Sequence, residues 1–214
     1  MMILKKKNFD GLILDVDGTL WDSTEIVAKA WTKAAVECGI EDVTITSDML
    51  KQLFGLVMTE IADRLFPDCS VFKRDRVLEL CCKYEHEALE ADECNICYLG
   101  VVDTIKEISE RVPVFIVSNC QSGYIELFMD KTGLNDYITD TECFGDTGKT
   151  KGENISLLME RNNLKSPVYV GDTQGDCDAA KVAGIPFIYA TYGFRKADSA
   201  YAEITEFSQL KNIL

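Results

Sequence analysis

A short apolar run that stops at two acids constrains the fold of this chain more than any other feature. Residues 12–14, Leu-Ile-Leu, lack helical spacing, which is typical of a buried strand. Asp15 and Asp17 follow at once, together with Gly18 and Thr19. Because ligands of parallel α/β sheets bind at the carboxyl ends of the strands, two acids in this place predict a functional site.

Two carboxylates so close together would repel each other, and a divalent cation is the simplest way to offset the repulsion between Asp15 and Asp17. Carboxylate oxygens suit Mg²⁺, and Mg²⁺ in turn suits a phosphate group. The alternative is an ordinary turn, because Asp and Gly favour turns. A calcium loop of the EF-hand kind fits less well, since Gly18 follows the second acid and not the third.

The composition is that of a globular chain with a strong negative charge. The 214 residues are 47% hydrophobic and carry a formal net charge of −14, which is enough apolar material for a full core. The negative charge disfavours nucleic acid and anionic membrane surfaces as partners. Acids interrupt any signal-peptide core behind residues 5–7, and no apolar run reaches membrane-spanning length. We therefore expect a cytoplasmic protein that binds neither membranes nor nucleic acid.

Nine cysteines raise the alternative of disulfides or a zinc site. Cys94 and Cys97 have the spacing of a zinc or redox pair, but no second pair follows, and the chain has one histidine. Thiols in helices are often buried simply as small hydrophobic groups. We therefore expect no metal at the cysteines, and the sequence leaves any other role of theirs open.

The segment after the first site has the apolar spacing of helices almost throughout. Helices are predicted near residues 22–39, 47–54, 59–66 and 70–91. A βαβ crossover needs only about thirty residues in all, so the surplus predicts an inserted all-helical cap domain that covers the site. We predict that the cap spans residues 21–95 and that residues 1–20 and 96–214 form the core.

From residue 99 onward, helices alternate with apolar strands. Strands are predicted near residues 112–117, 140–144, 168–170 and 186–190, and helices near residues 103–111, 122–132, 175–184 and 207–214, with another after Lys151. This alternation predicts the α/β class with a doubly wound, Rossmann-like parallel sheet.

Polar residues follow three of these strands, and parallel strands bring their carboxyl ends to one edge of the sheet. The residues are Asp15 and Asp17, Ser118 and Asn119, and Gly171 and Asp172. Phosphoryl transfer needs an in-line nucleophile, an acid for the leaving oxygen, and donors around three equatorial oxygens. This edge of the sheet offers a candidate for each role.

On these residues the sequence resembles the haloacid dehalogenase superfamily, in particular hydrolases with a helical cap of the C1 type, in the group of phosphoglycolate phosphatase and β-phosphoglucomutase. The resemblance covers essentially the whole chain. Four motifs occur in order: Asp15-Val-Asp-Gly-Thr-Leu, Ser118-Asn119, Lys151, and Gly171-Asp172-Thr-Gln-Gly-Asp176. The first and last are specific, whereas the two in the middle are weak by themselves.

The resemblance implies a role for each motif residue. Asp15 would attack phosphorus and form an aspartyl phosphate, and Asp17 would protonate the leaving alcohol and later activate water. Mg²⁺ would be held by Asp15, the main-chain carbonyl of Asp17, Asp172 and Asp176. The phosphoryl group would be bound by Gly18, Thr19, Ser118, Asn119 and Lys151. The implied function is Mg²⁺-dependent hydrolysis of a small phosphorylated metabolite that resembles phosphoglycolate or a sugar phosphate.

Several alternatives stay open in the sequence. Lys149 could replace Lys151 as the phosphate-binding lysine, Asn119 could only cap a helix, and Asp176 could only be an acid at a helix N-terminus. A phosphomutase, which returns the phosphoryl group to a sugar phosphate, fits the same motifs. A catalytically silent binding protein of the same fold is a third hypothesis. Neither the substrate nor the oligomeric state follows from the sequence.

The cap carries fewer signals. Residues 53–56 resemble a loop that faces the substrate in relatives, with Gly55 allowing close approach, although the end of a helix explains them equally well. Arg64, Lys73 and Arg74 could contact an acidic substrate, but charged residues more commonly lie on helix surfaces.

Overall fold

One parallel sheet forms the centre of the molecule. The structure is a computed structural model, and it describes residues 8–41, 43–93 and 96–214. Its strands are β1 (Leu12–Leu14), β2 (Val114–Ser118), β3 (Asp140–Cys143), β4 (Val168–Gly171), β5 (Phe187–Ala190) and β6 (Ala202–Ile204). They pair in parallel in the order β3-β2-β1-β4-β5-β6. The predicted α/β class with a doubly wound parallel sheet is confirmed.

The strand order explains why the site lies where it does. Starting from β1, the chain adds β2 and β3 on one side and β4 to β6 on the other, so the winding direction reverses between β1 and β4. A crevice forms at the carboxyl ends of strands where this reversal occurs, and ligands bind there in open α/β sheets. The residues that follow β1 and β4 therefore meet at the crevice.

Both faces of the sheet are buried, which is why β1 is uniformly apolar. Leu12 and Leu14 pack into the apolar cluster on one face, and Ile13 packs into the cluster on the opposite face. All three side chains are fully buried, and each such burial stabilises the fold by about 1.5–3 kcal/mol. The alternation arises because successive side chains of a strand point to opposite faces of the sheet.

Four helices directly follow β1 in the chain, ahead of β2. They are α1 (Thr24–Glu37), α2 (Ser47–Leu53), α3 (Met58–Leu65) and α4 (Val71–Ala91). Helix α1 packs along α4, and α2 and α3 complete the group. The helical character predicted for this segment is confirmed, while its independence as a domain over residues 21–95 stays a prediction. Cys94 of the Cys94–Cys97 pair lies outside the described residues.

The remaining helices flank the sheet. They are α5 (Val101–Ser109), α6 (Tyr124–Thr132), α7 (Phe144–Thr147), α8 (Lys151–Arg161), α9 (Gln174–Ala183) and α10 (Leu210–Ile213), with a 3₁₀ turn at Phe207–Gln209. Two of them begin at a capping box, in which Thr150 pairs with Glu153 at α8 and Thr173 pairs with Asp176 at α9. No described helix is both long enough and apolar enough to cross a membrane.

Two short elements were not predicted from the sequence, and one predicted helix is divided in the structure. Strand β6 and helix α7 were not predicted, and the predicted helix over residues 207–214 is divided into the 3₁₀ turn and α10. Strand β6 has three residues, of which Ile204 alone is buried. So short an edge strand has no periodicity of its own and exists because β5 offers it a hydrogen-bonding partner.

Candidate active site

Asp15 directly follows β1, at the carboxyl end of an inner strand of the sheet. Its N–H donates to the carbonyl of Val170 at 2.9 Å, which continues the pairing of β1 with β4. Its side chain is only 2% exposed and accepts a hydrogen bond from Lys151, with 2.9 Å between Nζ and Oδ1. The same ammonium lies 2.6 Å from Oδ1 of Asp176. Asp15 and Asp176, which are 136 and 25 positions away from Lys151 in the chain, therefore both contact its ammonium group.

The structure distinguishes between the two candidate lysines. Lys151 is the first residue of α8 and is buried, whereas Lys149 is exposed. Burial alone would lower the pKa of Lys151, but Asp15 and Asp176 outweigh it and raise the pKa above its ordinary value. Lys151 is therefore a permanent ammonium group between two acids.

Three buried acids meet around this lysine. Asp15, Asp172 and Asp176 each offer one oxygen atom, and these atoms lie within 4.8 Å of one another. Burial raises the pKa of Asp172 well above its usual range, and the neighbouring Asp176 and Asp15 add to the effect. Burial likewise raises the pKa of Asp15 to about 7, although Lys151 opposes the shift. The one positive charge of Lys151 therefore does not offset the negative charge that three ionised carboxylates would carry.

This donor set fits a divalent cation. All three groups are carboxylates, and three acids beside one lysine leave an excess of negative charge in a buried place. Mg²⁺ binds oxygen ligands at about 2.1 Å in octahedral geometry, so ligand oxygens lie about 3–4 Å apart around it, close to the spacing of within 4.8 Å seen here. The side chain of Asp17 is not a member of the cluster, and its contribution through the main-chain carbonyl stays a prediction.

Hydrogen bonds hold the other two acids of the cluster in place. Oδ2 of Asp172 accepts from the N–H of Phe194 at 2.6 Å. Oδ2 of Asp176 accepts from the N–H and the hydroxyl of Thr173, at 2.9 and 2.6 Å. Burial pushes the pKa of Asp176 upward, but Lys151 and these donors outweigh it and hold the pKa below its usual value. Asp176 is therefore both the capping acid of α9 and a member of the buried cluster.

Two glycines allow the loops to lie directly against Asp172. Gly18 has φ of +81°, and a Cβ atom there would lie 2.3 Å from Oδ2 of Asp172. Gly193, in the loop after β5, would place a Cβ atom 2.2 Å from Cβ of Asp172. The sequence indicated Gly18 through its motif, but it carried no signal for Gly193. The close approach of the two loops is what excludes solvent from Asp172.

We predict that Gly18→Ala destabilises the protein by about 2–5 kcal/mol, because it combines a strained φ with an overlap on a buried carboxylate. Urea unfolding measures the loss. Gly39→Ala is the matched control, since Gly39 also has a positive φ, +67°, but a Cβ atom there would meet nothing within 4 Å. Equal losses in the two variants would show that the overlap with Asp172 contributes nothing.

Asp17 points away from the three-acid cluster and is held by three donors. Its Oδ1 accepts from Nε1 of Trp21 at 3.1 Å, from Oγ of Ser23 at 2.8 Å and from the hydroxyl of Tyr124 at 2.7 Å. Burial raises the pKa of Asp17 to about 6, although these hydrogen bonds oppose the shift. No sequence pattern singles out Tyr124, which reaches Asp17 from α6 through the packing of the fold.

Ser118 is the last residue of β2 and Asn119 follows it, at the strand end that the sequence predicted, and both lie beside Asp15 and Asp17 in one cavity. Nδ2 of Asn119 donates to the carbonyl of Gly55 at 2.8 Å, so this side chain joins the core to the loop of the helical segment. Its Oδ1 is buried and has no hydrogen-bond partner among the residues that the structure describes. Nη2 of Arg195 makes a second link by donating to the carbonyl of Phe54 at 2.7 Å. A phosphate-binding role for Ser118 and Asn119 stays a prediction.

The cavity lies between the sheet edge and residues of α1, α3, α4 and the loop 54–56. Its floor is formed by Asp15, Asp17, Ser118 and Asn119, and the opposite wall consists of Trp31, Phe54, Leu56, Met58, Ile61 and Glu85. The loop predicted to face the substrate, residues 53–56, does line the cavity through three of its residues. With a volume of about 30 Å³, the cavity has room for about two water molecules. A larger ligand therefore requires the wall to move away from the floor.

Glu85 is the acid in the wall, and it was not predicted from the sequence. The side chain is 3% exposed. Its Oε2 accepts from Nε1 of Trp31 at 2.7 Å, and its Oε1 accepts from Nε2 of Gln121 at 3.0 Å. A signal did exist, because Glu85 lies four residues from both Cys81 and Leu89 and hence on the apolar face of α4. Burial raises the pKa of Glu85 to about 8 despite the two hydrogen bonds.

We predict that Glu85→Gln changes how stability depends on pH. The pKa of Glu85 rises from 4.5 to about 8 on folding, so the folded state holds the proton more tightly. Ionisation of this group therefore lowers the free energy of unfolding as the pH rises from 4.5 toward 8. Between pH 5 and pH 8, urea unfolding should show a smaller loss for the variant than for the wild type. Glu87→Gln, an exposed change on the same helix, should follow the wild type.

Comparisons with known proteins agree with this geometry. The family model described as haloacid dehalogenase-like hydrolase matches residues 12–190. A phosphoglycolate phosphatase of Rhodobacter capsulatus is 28% identical, with 95% of each chain covered. Another from Photobacterium profundum is 25% identical over 97% of this chain and 98% of its own. A solved structure of a predicted phosphoglycolate phosphatase from Haemophilus somnus has a TM-score of 0.84 at 18% identity, with coverage of 96% and 97%.

The two kinds of comparison support different conclusions. The structural similarity, at such low sequence identity, shows the fold. The family model extends over most of the chain, from β1 through β5, and so includes Asp15, Lys151 and Asp172. The resemblance seen in the four sequence motifs is thereby confirmed. The chain belongs to the haloacid dehalogenase-like hydrolases.

Proposed function

We propose that this protein is a Mg²⁺-dependent phosphatase that hydrolyses a small phosphorylated metabolite through an aspartyl-phosphate intermediate. The enzyme class, a phosphoric monoester hydrolase, is confirmed by the family and by the relatives named phosphoglycolate phosphatase. The metal, the intermediate and the substrate are the parts that we propose. One observation carries the proposal: a buried lysine holds Asp15 beside Asp172 and Asp176, below a cavity that Asp15 and Asp17 both line.

Asp15 is the proposed nucleophile. Its carboxylate lies at the floor of the cavity and can reach a phosphorus atom bound there. Attack of one oxygen on phosphorus forms the aspartyl phosphate and releases the alcohol, which divides a difficult displacement into two easier ones. Lys151 favours the ionised and therefore nucleophilic form of Asp15 through its ammonium group.

Asp17 is the proposed general acid and base. Proton transfer to the leaving oxygen requires a protonated carboxyl group, and burial favours that form of Asp17. After the alcohol leaves, the same carboxylate can take a proton from water as that water attacks the aspartyl phosphate. Trp21, Ser23 and Tyr124 hold Oδ1 of Asp17, so Oδ2 is the atom left to exchange the proton.

The phosphoryl oxygens would be held by Ser118, Asn119, Thr19, Lys151 and the main chain at Gly18. Nδ2 of Asn119 uses one of its two N–H donors on the carbonyl of Gly55, so the second N–H is available to a phosphoryl oxygen. Mg²⁺ would be held by Asp15, Asp172 and Asp176 together with the Asp17 carbonyl. When bound, Mg²⁺ neutralises charge on the phosphoryl group and orients it.

Removal of the metal tests the proposal directly. We expect a panel of phosphorylated metabolites to contain at least one from which the protein releases phosphate, and we expect EDTA to reduce that release at least about 100-fold. Addition of excess MgCl₂ should restore it. A colorimetric phosphate assay provides the measurement. Full activity in EDTA would contradict the assignment of Asp15, Asp172 and Asp176 as metal ligands.

A phosphomutase uses the same proposed chemistry, because the aspartyl phosphate can be returned to a sugar phosphate and not to water. The small volume of the cavity, with room for about two water molecules, is the observation that favours this second candidate, because a closed site limits the access of water. Incubation with β-glucose 1-phosphate distinguishes the two functions, since a mutase forms glucose 6-phosphate and a phosphatase forms free phosphate. A silent binding protein would do neither, and the intact set of Asp15, Asp17, Lys151 and Asp172 disfavours it.

A further inference from the structure

The floor and the wall of the cavity differ in chemistry, because the floor is polar and the wall is mostly apolar. The floor holds the residues proposed to bind the phosphoryl group, so the alcohol part of the ester must face the wall. The wall side chains are apolar except for Glu85, and the polar side chains of Gln121 and Tyr124 also line the cavity. The two oxygens of Glu85 each accept one hydrogen bond from the protein, which leaves one acceptor site on each oxygen when the group is ionised, above its pKa of about 8. The alcohol part therefore meets an acceptor in mostly apolar surroundings.

No positive side chain compensates for Glu85. Within residues 8–41, 43–93 and 96–214, none of the residues that line the cavity is Lys, Arg or His. The cations of the cap that could have bound an acidic substrate are elsewhere: Arg64 is exposed, Lys73 donates to the carbonyl of Gly39 at 2.9 Å, and Arg74 pairs with Asp63. Arg195 donates to main-chain carbonyls of the loop and does not line the cavity.

A carboxylate on the substrate would be poorly stabilised in this place. It would lose its hydration, meet no cation, and lie near an acid whose own ionisation already suffers from burial. A hydroxyl or ammonium group has the opposite effect, because it donates to the free acceptor sites of Glu85. The carboxyl group of Glu85 therefore distinguishes between esters of similar size.

We propose that Glu85 is a specificity-determining residue, and that the substrate is a phosphate ester whose alcohol part carries a hydrogen-bond donor, a hydroxyl or an ammonium group, and no carboxylate. This inference rests on the proposed phosphatase function and narrows it. It separates this chain from its relatives named phosphoglycolate phosphatase, because phosphoglycolate carries a carboxylate next to its phosphate.

Three esters of similar size test the proposal: 2-phosphoglycolate, sn-glycerol 3-phosphate and O-phosphoethanolamine. They place a carboxylate, hydroxyl groups and an ammonium group, respectively, against the wall. For each one kcat/KM is measured at pH 8.5, or its inhibition constant against p-nitrophenyl phosphate if turnover is too slow. We expect glycerol 3-phosphate or phosphoethanolamine to be preferred over phosphoglycolate at least about tenfold, and their order tells which donor the cavity fits.

Glu85→Gln then tests whether this residue causes the preference. The variant keeps the shape and removes the charge, so the preference for the donor esters over phosphoglycolate should fall about tenfold, most strongly for phosphoethanolamine. Glu87→Gln, the same change on the exposed side of α4, should keep the wild-type ratios. Circular dichroism verifies that both variants fold. The ranking of the three esters is measured with the wild-type protein, so it does not depend on the folding of any variant.

The outcomes separate failure of the inference from failure of the proposed function. Phosphate release with phosphoglycolate equal or preferred would overturn the inference and leave the phosphatase in place. A donor preference that Glu85→Gln leaves unchanged would overturn the role of Glu85. No phosphate release from any ester, p-nitrophenyl phosphate included, above that of Asp15→Asn would overturn the proposed function and the inference with it.

Discussion

Asp15→Asn is expected to abolish phosphate release, with a fall in kcat of about 10⁴-fold or more. The amide lacks the nucleophilic oxygen, and loss of a covalent nucleophile leaves only the catalysis that binding and electrostatics supply. Acid-quenched wild-type enzyme should show the added mass of one phosphoryl group by mass spectrometry, and the variant should not. Turnover in the variant near that of the wild type would show that Asp15 is not the nucleophile.

Asp15→Asn should keep its fold, so that a loss of kcat in this variant reports on catalysis and not on unfolding. Burial raises the pKa of Asp15 to about 7, so the folded protein already favours a neutral group at this position. Lys151 keeps Asp176 as a partner at 2.6 Å. We therefore expect the midpoint of urea unfolding to be close to that of the wild type. Asp178→Asn is the matched control, since Asp178 is an exposed acid of α9 that pairs with Lys181 at 3.1 Å, and its kcat should not change.

Lys151→Met is expected to reduce both turnover and stability. The ammonium is the common partner of Asp15 and Asp176, and both of these acids are buried. Removing one member of a buried ion pair leaves an uncompensated charge and costs about 3–5 kcal/mol. Loss of a positive group at the phosphoryl site should also lower kcat by about 100-fold to 1000-fold. Urea unfolding in EDTA and a phosphate assay in Mg²⁺ measure the two effects separately.

The stability loss of Lys151→Met should depend on pH in a stated direction. Without the ammonium, nothing offsets the burial that already raises the pKa of Asp15 above its unfolded value of 3.8, and Asp176 loses the charge that does most to hold its pKa down. Stability is then lost as the pH rises above 3.8, because ionisation favours the unfolded chain. The variant should therefore lie closest to the wild type at acidic pH. Lys149→Met, an exposed change two residues away, should show neither effect, and equal behaviour of the two variants would contradict the assignment.

The sequence alone was sufficient for the α/β class, for most helices and strands, and for Asp15 and Asp172 as members of one site. These predictions succeeded because they depend on local patterns. A uniformly apolar strand indicates a sheet covered on both faces, and acids directly after such a strand must lie at its carboxyl end. The roles of these residues in catalysis follow from the resemblance and stay predictions.

The choice between Lys149 and Lys151 required the tertiary structure. Both lysines flank Thr150 in the sequence, and either could have reached the site. The capping box of Thr150 and Glu153 starts α8 in such a way that Lys151 is its first residue and points inward. The physical cause is the hydrogen-bonding requirement of a helix N-terminus, which fixes the rotation of the whole first turn.

Glu85, Tyr124 and Gly193 show what the sequence could not decide. Each is far along the chain from Asp15 and Asp17, and each reaches the site through the packing of one element on another. A local pattern carries information on which face of an element is buried, but not on which distant face will meet it. Asp15 and Asp17 were therefore identifiable from the sequence, whereas the residues that line the cavity around them were decided by tertiary contacts, because those contacts join positions that have no regular spacing in the chain.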